Sequence, residues 1–136
     1  MLNLQSKRPA TAKQLATIIN RLEKRPFIQS VTLSTSDGLA IIQTDDKAER
    51  AAAVASLMAS AAQQARIMLN LDVCDEIMLS LQNNSFLVYH PFTANGTRLI
   101  LTVSFNQQTT YKRLLAQTCN DITQLMENHL ENRSWE

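Results

Sequence analysis

The stretch Val31-Thr-Leu-Ser-Thr-Ser-Asp37-Gly38-Leu-Ala-Ile-Ile-Gln-Thr44 decides the architecture. Val31 and Leu33 alternate with Thr32 and Ser34, the two-residue period of a strand with one buried face. Asp37-Gly38 follows as a turn, because both residues tolerate the positive φ of a tight antiparallel reversal. Leu39 to Thr44 then reads as the returning strand, so the segment from Phe27 to Thr44 is a β-hairpin.

Working outward, the apolar period changes from two to 3.6 on both sides of the hairpin. Upstream, Thr11-x-x-Gln14 after Pro9 has the form of a capping box, Leu15, Ile18, Ile19 and Leu22 make one helical stripe, and Pro26 stops it. Downstream, Asp46-x-x-Glu49 after Thr44-Asp45 opens a helix to Leu69. Its apolar stripe is Val54, Met58, Ala61, Ala62, Ala65, Met68 and Leu69, with Arg50, Gln63, Gln64 and Arg66 assigned to the opposite side. Alanine occupies positions where a core-facing helix usually carries leucine, so this face buries little unless another surface packs closely on it.

Three further strands are predicted: 73–81, then 86–92 after the Asn83-Asn84-Ser85 turn, with Pro91 ending it or placing it at an edge, then 97–105 after Asn95-Gly96. Together they form an antiparallel meander. From Gln107 the helical period returns, with Tyr111, Leu114, Leu115, Thr118, Ile122, Leu125, Met126 and His129 in one stripe. The element order is α-β-β-α-β-β-β-α, an α/β (α+β) chain. The expected organisation is a flexible N-terminus over 1–10, one domain over 11–130, and a tail over 131–136.

Composition agrees with one domain. The chain has 136 residues, 45% apolar and 18% charged, and a domain that long buries roughly two-thirds of its unfolded surface without metal or disulfide staples. Cys74 and Cys119 lie far apart in apolar stretches and read as buried thiols. The N-terminal residues lack the apolar core of a secretory signal, and the most apolar run, 51–62, is too short to span a bilayer, which implies a cytoplasmic protein without integral membrane contact. Lys7, Arg8, Lys13, Arg21, Lys24 and Arg25 precede Pro26 against the single acid Glu23. No aromatic residue stands among them to stack on bases, so the reading is a solvated basic face and not a nucleic-acid site.

Residues that would carry catalysis are sparse. Both glycines, Gly38 and Gly96, are used in hairpin turns, which leaves none for a phosphate-cradling loop. There is no nucleophile elbow and no metal-binding helix motif. A Cys74/His90 thiol pair is disfavoured by the apolar pattern around Cys74, and Asp72, Asp75 and Glu76 read as a solvated strand entry. The expectation is a non-enzymatic protein with no catalytic residue, no cofactor and no metal.

The hairpin 31–44, the Ala/Met/Leu-rich helix 46–69, the strand ending Val88-Tyr-His-Pro91 and the strand 97–105 before the last helix resemble the roadblock (dynein light chain type) superfamily. The likeness runs over about residues 11–130. Where that family often has glycine, before the fourth strand and near the last helix, this chain has Asn83-Asn84-Ser85 and residues 107–110, so those loops are expected to differ. The resemblance implies a profilin-like fold, a five-stranded antiparallel sheet with helices on both faces, and a homodimer in which third strands and second helices of two copies pair. The implied dimer interface is Val54, Met58, Ala61, Ala62, Ala65, Cys74, Glu76 and Met78, burying on the order of 2,000 Å² or more. It further implies a signalling role beside a small Ras-like GTPase, as a GTPase-activating protein or platform, contacted through Glu49, Arg50, Gln63, Gln64 and Arg66. Two other readings stand beside it: a passive assembly scaffold or adaptor docked through its basic first helix, and a small-molecule sensor.

Overall fold

From Leu99 to Val103 every side chain of β5 (Thr97–Phe105) is buried, the pattern of a strand covered on both faces. The computed structural model describes residues 9–43 and 45–134, with side chains over 11–43 and 45–128. The other elements are α1 (Pro9–Glu23), β1 (Ile28–Thr35), β2 (Ala40–Ile41), α2 (Asp46–Leu69), β3 (Ile77–Ser80), β4 (Phe86–Ala94) and α3 (Lys112–Ser134). All strand pairs are antiparallel, in the order β2-β1-β5-β4-β3. The predicted element order, five-stranded sheet and helices on both faces are therefore found.

The two faces are covered differently. Val31, Leu33, Val88, Leu101 and Val103 meet Leu15, Ile19 and Leu22 of α1 and Leu115, Ile122 and Met126 of α3 in one large core. At its end Phe86 and Phe105, directly paired across β4 and β5, stack with centroids 4.7 Å apart, and Tyr111 tilts over both at 5.5 and 5.4 Å. Ile100 and Tyr89 point the other way, against Ala55, Met58 and Ala59 of α2.

Local chemistry explains the boundaries. Asp45 caps α2 by accepting from the Ala48 N–H at 2.8 Å, and Asn70 closes it in the left-handed region at φ 56°. The hairpin turn at Gly38 (φ 98°) leans on the middle of α2, where Ser56 Oγ donates to the Ser36 carbonyl at 2.9 Å. Asn95 and Gly96, both at positive φ, form the β4–β5 turn. At the β3–β4 turn Asn84 supplies the left-handed residue (φ 69°) in place of glycine.

Several expected boundaries differ. Pro9 begins α1, and Thr11 is wholly buried within its first turns, so it does not act as the cap. Phe27 takes a positive φ of 75° and precedes the first strand instead of opening it. β2 stops at Ile41, because Ile42 turns to φ 79° as the chain swings toward the Asp45 cap; Thr44 lies outside the described residues. β3 pairs only from Ile77, and residues 71–76 run without ladder partners. β4 continues through Pro91 to Ala94. β3 begins at Ile77, opposite Tyr89, and pairs no further along β4, so Pro91 has β5 on one side and no strand on the other, where a missing N–H costs nothing. α3 starts at Lys112, leaving 107–111 as a connecting segment. Cys119 is buried, its thiol pushed up to about 12 by burial, whereas Cys74 is half-buried and donates to the Glu76 carbonyl. Residues 1–8 and the side chains of the 131–136 tail lie outside the described residues, as does the side chain of His129.

Two substitutions test this account by urea unfolding. Phe105→Ala, which empties the aromatic stack, is expected to cost about 3–5 kcal/mol, and Asp45→Ala, which removes only a cap, about 1 kcal/mol.

Candidate functional site

The bare apolar surface of the molecule follows from how α2 sits on the sheet. Its inward row is Ala48, Ala52 and Ala55, all fully or nearly buried. The small side chains at three- and four-residue spacing let the backbone approach the strands, and Met58, Ala59, Ala62 and Ala65 flank that row half-buried. Stepping by three and four along the outer side, Arg50, Val54, Leu57, Ala61, Gln64 and Met68 form one exposed row. Leu57, Ile67, Met68, Leu69 and Val73 are each 62–79% exposed.

This ridge continues beyond the helix. Leu71 and Val73 carry it to β3, the edge strand on that side of the sheet, where Leu79 is exposed on the α2 face, Met78 on the opposite face, and Leu81 just past the strand end. Ile77 and Leu79 pair with Tyr89 and Leu87, so they share the sheet face that α2 covers. An apolar ridge beside an unpaired strand edge is the kind of surface soluble proteins normally cover.

The predicted interface residues are divided by this geometry. Val54, Ala61 and Met78 lie exposed on the ridge or edge. Met58 packs on Tyr89 and Ile100 inside the chain, and Ala62, Ala65 and Cys74 are half-buried. Glu76 accepts a hydrogen bond from the Tyr111 hydroxyl, tying the segment before β3 to the start of α3. Leu57, Ile67, Leu71, Val73, Leu79 and Leu81 were not among the predicted contacts, although the 54-57-61-64-68 spacing would have drawn Leu57 into the same row. The predicted partner residues do not share one face either. Glu49 and Gln63 are exposed on one flank, Arg50 and Gln64 belong to the ridge, and Arg66 falls in register with Ala48 and Ala55, half-buried, its Nε without a hydrogen-bond partner among the described residues.

Among the described residues no three His, Cys, Asp or Glu side chains converge as a metal site, and no helix is long and apolar enough to cross a membrane. Cys74 and His90 make no hydrogen bond to each other among the described residues: the thiol donates to Glu76, and His90 Nδ1 is buried without a partner.

A five-stranded antiparallel sheet in the order 2-1-5-4-3, with two helices on one face and a long single helix on the other, is the fold of a roadblock/LC7 domain. Such a domain from Streptomyces avermitilis superposes with a TM-score of 0.57 at 18% identity, over 89% of this chain and 96% of that one. MglB of Myxococcus xanthus superposes with a TM-score of 0.69 at 15% identity, over 94% of this chain and 96% of that one. An MglB solved with a tetrameric arrangement gives 0.70 at 12% identity, over 88% and 92%. No protein-family model and no curated protein matches the sequence.

The Tyr111–Glu76 bond has a titration signature. Burial first, then the hydrogen bond and the charge of Glu76, push the Tyr111 phenol up from 10.0 to about 12. The unfolded chain releases that proton near 10, so between the two values the folded state holds more protons and stability falls as pH rises. Ultraviolet titration of tyrosinate is expected to show a late-ionising phenol in the native protein. Glu76→Gln should move it back toward 10 without reaching it, because burial remains.

Proposed function

We propose that this protein is a non-enzymatic cytoplasmic regulator that works as a homodimer and serves a small Ras-like GTPase. The observation that carries the reading is the continuity of the exposed ridge Val54, Leu57, Ala61 and Met68 with Leu71, Val73 and the open edge of β3. A two-fold axis beside β3 lets two copies cover both at once through one self-complementary surface. Likeness to MglB, one example of which has a tetrameric arrangement, supports self-association. It also supports the GTPase reading, through the role the roadblock resemblance implies.

With the ridge assigned to the second copy, the flank bearing Glu49 and Gln63 is the exposed α2 surface left for the GTPase, and Arg50 and Gln64 border it. Arg66, turned toward the sheet, is not placed to act as an inserted arginine. Acceleration of GTP hydrolysis then comes from holding the GTPase's own residues in the productive arrangement.

Two measurements check this. Light scattering after size exclusion at about 10 μM, a concentration at which obligate dimers persist, should give twice the chain mass. Leu57→Glu with Met68→Glu should give the single-chain mass with unchanged far-ultraviolet circular dichroism; a monomeric wild type would sink the dimer. Single-turnover GTP hydrolysis by small Ras-like GTPases of the same organism should rise at least about tenfold with the protein present and fall back with Glu49→Ala/Gln63→Ala. Neither binding nor acceleration with any of them would end the GTPase reading.

A further inference from the structure

On the sheet face opposite α2, two segments far apart in sequence meet. Antiparallel pairing sets Ile28 at the start of β1 against Phe105 at the end of β5. The end of α1 and the beginning of α3 are thereby brought to one corner. Between them lies an open cleft of about 820 Å³, lined by Arg25 and Pro26 on one side and by residues 109–114 and Gln117 on the other.

None of the lining residues is acidic, and three, Arg25, Lys112 and Arg113, are cationic and exposed. Arg21 and Lys24, both exposed, and the half-buried Glu23 lie within four residues of Arg25. The first turn of α3 contains no acid. The carboxylate of Glu76 is outside the lining and engaged by the Tyr111 hydroxyl. Between the cations, Pro26, Tyr111 and Leu114 give the cleft an apolar surface. The basic first helix noted in the sequence thus has a continuation that its own sequence does not contain.

We propose that this cleft is a docking site for an acidic segment of a partner protein, one that presents several carboxylates around an apolar side chain. Charge complementarity selects the sign of the occupant. The concave shape selects its form: a bilayer is flat and would meet only the rims, while an extended chain can enter and reach cations on both walls and the apolar surface between them. A single small anion would engage one or two exposed cations, and at that exposure salt screens most of the attraction. The site is independent of the α2 ridge, on the other sheet face, and does not rest on the GTPase reading.

The test uses the full chain and a fluorescein-labelled peptide of eight glutamates around a central Leu-Phe, followed by fluorescence anisotropy. Saturable binding is expected, weakening about tenfold or more between 50 mM and 500 mM salt, as the Debye length shrinks from roughly 14 to 4 Å. Arg25→Glu and the double change Lys112→Glu/Arg113→Glu should each weaken it about tenfold or more, a loss of roughly 1.4 kcal/mol. Lys13→Glu makes the same charge change on α1 about 15 Å back along the helix from its last residue, Glu23, and should weaken binding less than about twofold. Circular dichroism and light scattering of each variant verify that fold and assembly are unchanged, and all the substituted residues are exposed. Equal binding by the cleft variants, equal binding of the peptide with glutamine for glutamate, or no binding of the glutamate peptide would overturn the proposal. Binding of phosphatidylglycerol vesicles without binding of the peptide would overturn it in favour of a membrane surface.

Discussion

The contact between α2 and its own sheet is made by alanine, and most of the molecule's character follows from that. Ala48, Ala52 and Ala55 bring the helix backbone close to the strands, beside β-strand residues as small as Ser34 and Thr102. Close approach by such side chains gains little from apolar burial. The Ser56 hydroxyl ties the helix to the hairpin turn, while the Asp45 cap and the left-handed closure at Asn70 satisfy the helix's own ends. Its larger apolar residues, Leu57 and Met68, lie on the outside.

That arrangement divides labour between the two sheet faces. The face under α1 and α3 contains the stacked Phe86 and Phe105, the tilted Tyr111 and most of the buried leucine, isoleucine and valine. It is where large-to-small changes cost most, since cavities in a dense core relax poorly. The α2 face has a small cluster around Tyr89 and Ile100 and an apolar exterior, so it contributes less to holding the chain folded and offers more to another molecule. Burial and the Glu76 bond keep Tyr111 neutral well beyond the range of a free phenol, and so link the segment before β3 to the start of α3.

The basic corner shows how topology creates a surface that no segment contains. Arg25 and Lys112 are separated by nearly the whole sheet in sequence, yet β1 and β5 pair so that the helix before one and the helix after the other share an end. Residues 109–111, just before α3, form part of one wall of the cleft. The two surfaces thus differ in physical character: an apolar ridge on one sheet face, and a cationic cleft on the other.

Element order, the Asp37-Gly38 and Asn95-Gly96 reversals and the cap region of α2 were legible in the sequence, because each depends on local φ preference or on a period set by a few neighbouring residues. Strand ends were less so: Ile42 and Phe27 adopt positive φ against their own preference, and the exit of β4 past Pro91 is tolerated because β3 pairs with β4 only as far as Tyr89. The inward side of α2 was the decisive gap. With alanines on several sides of the helix, periodicity does not distinguish the row that touches the sheet from the row that faces outward, so the predicted stripe combined the half-buried Met58 with the exposed Val54 and did not include Leu57. Sequence by itself determined the periods of the helices and strands and the two glycine turns. Tertiary structure alone decided which alanines were interior, which leucines stayed outside, and that Arg25 would face Lys112, because those outcomes depend on strand pairing between residues far apart in the chain.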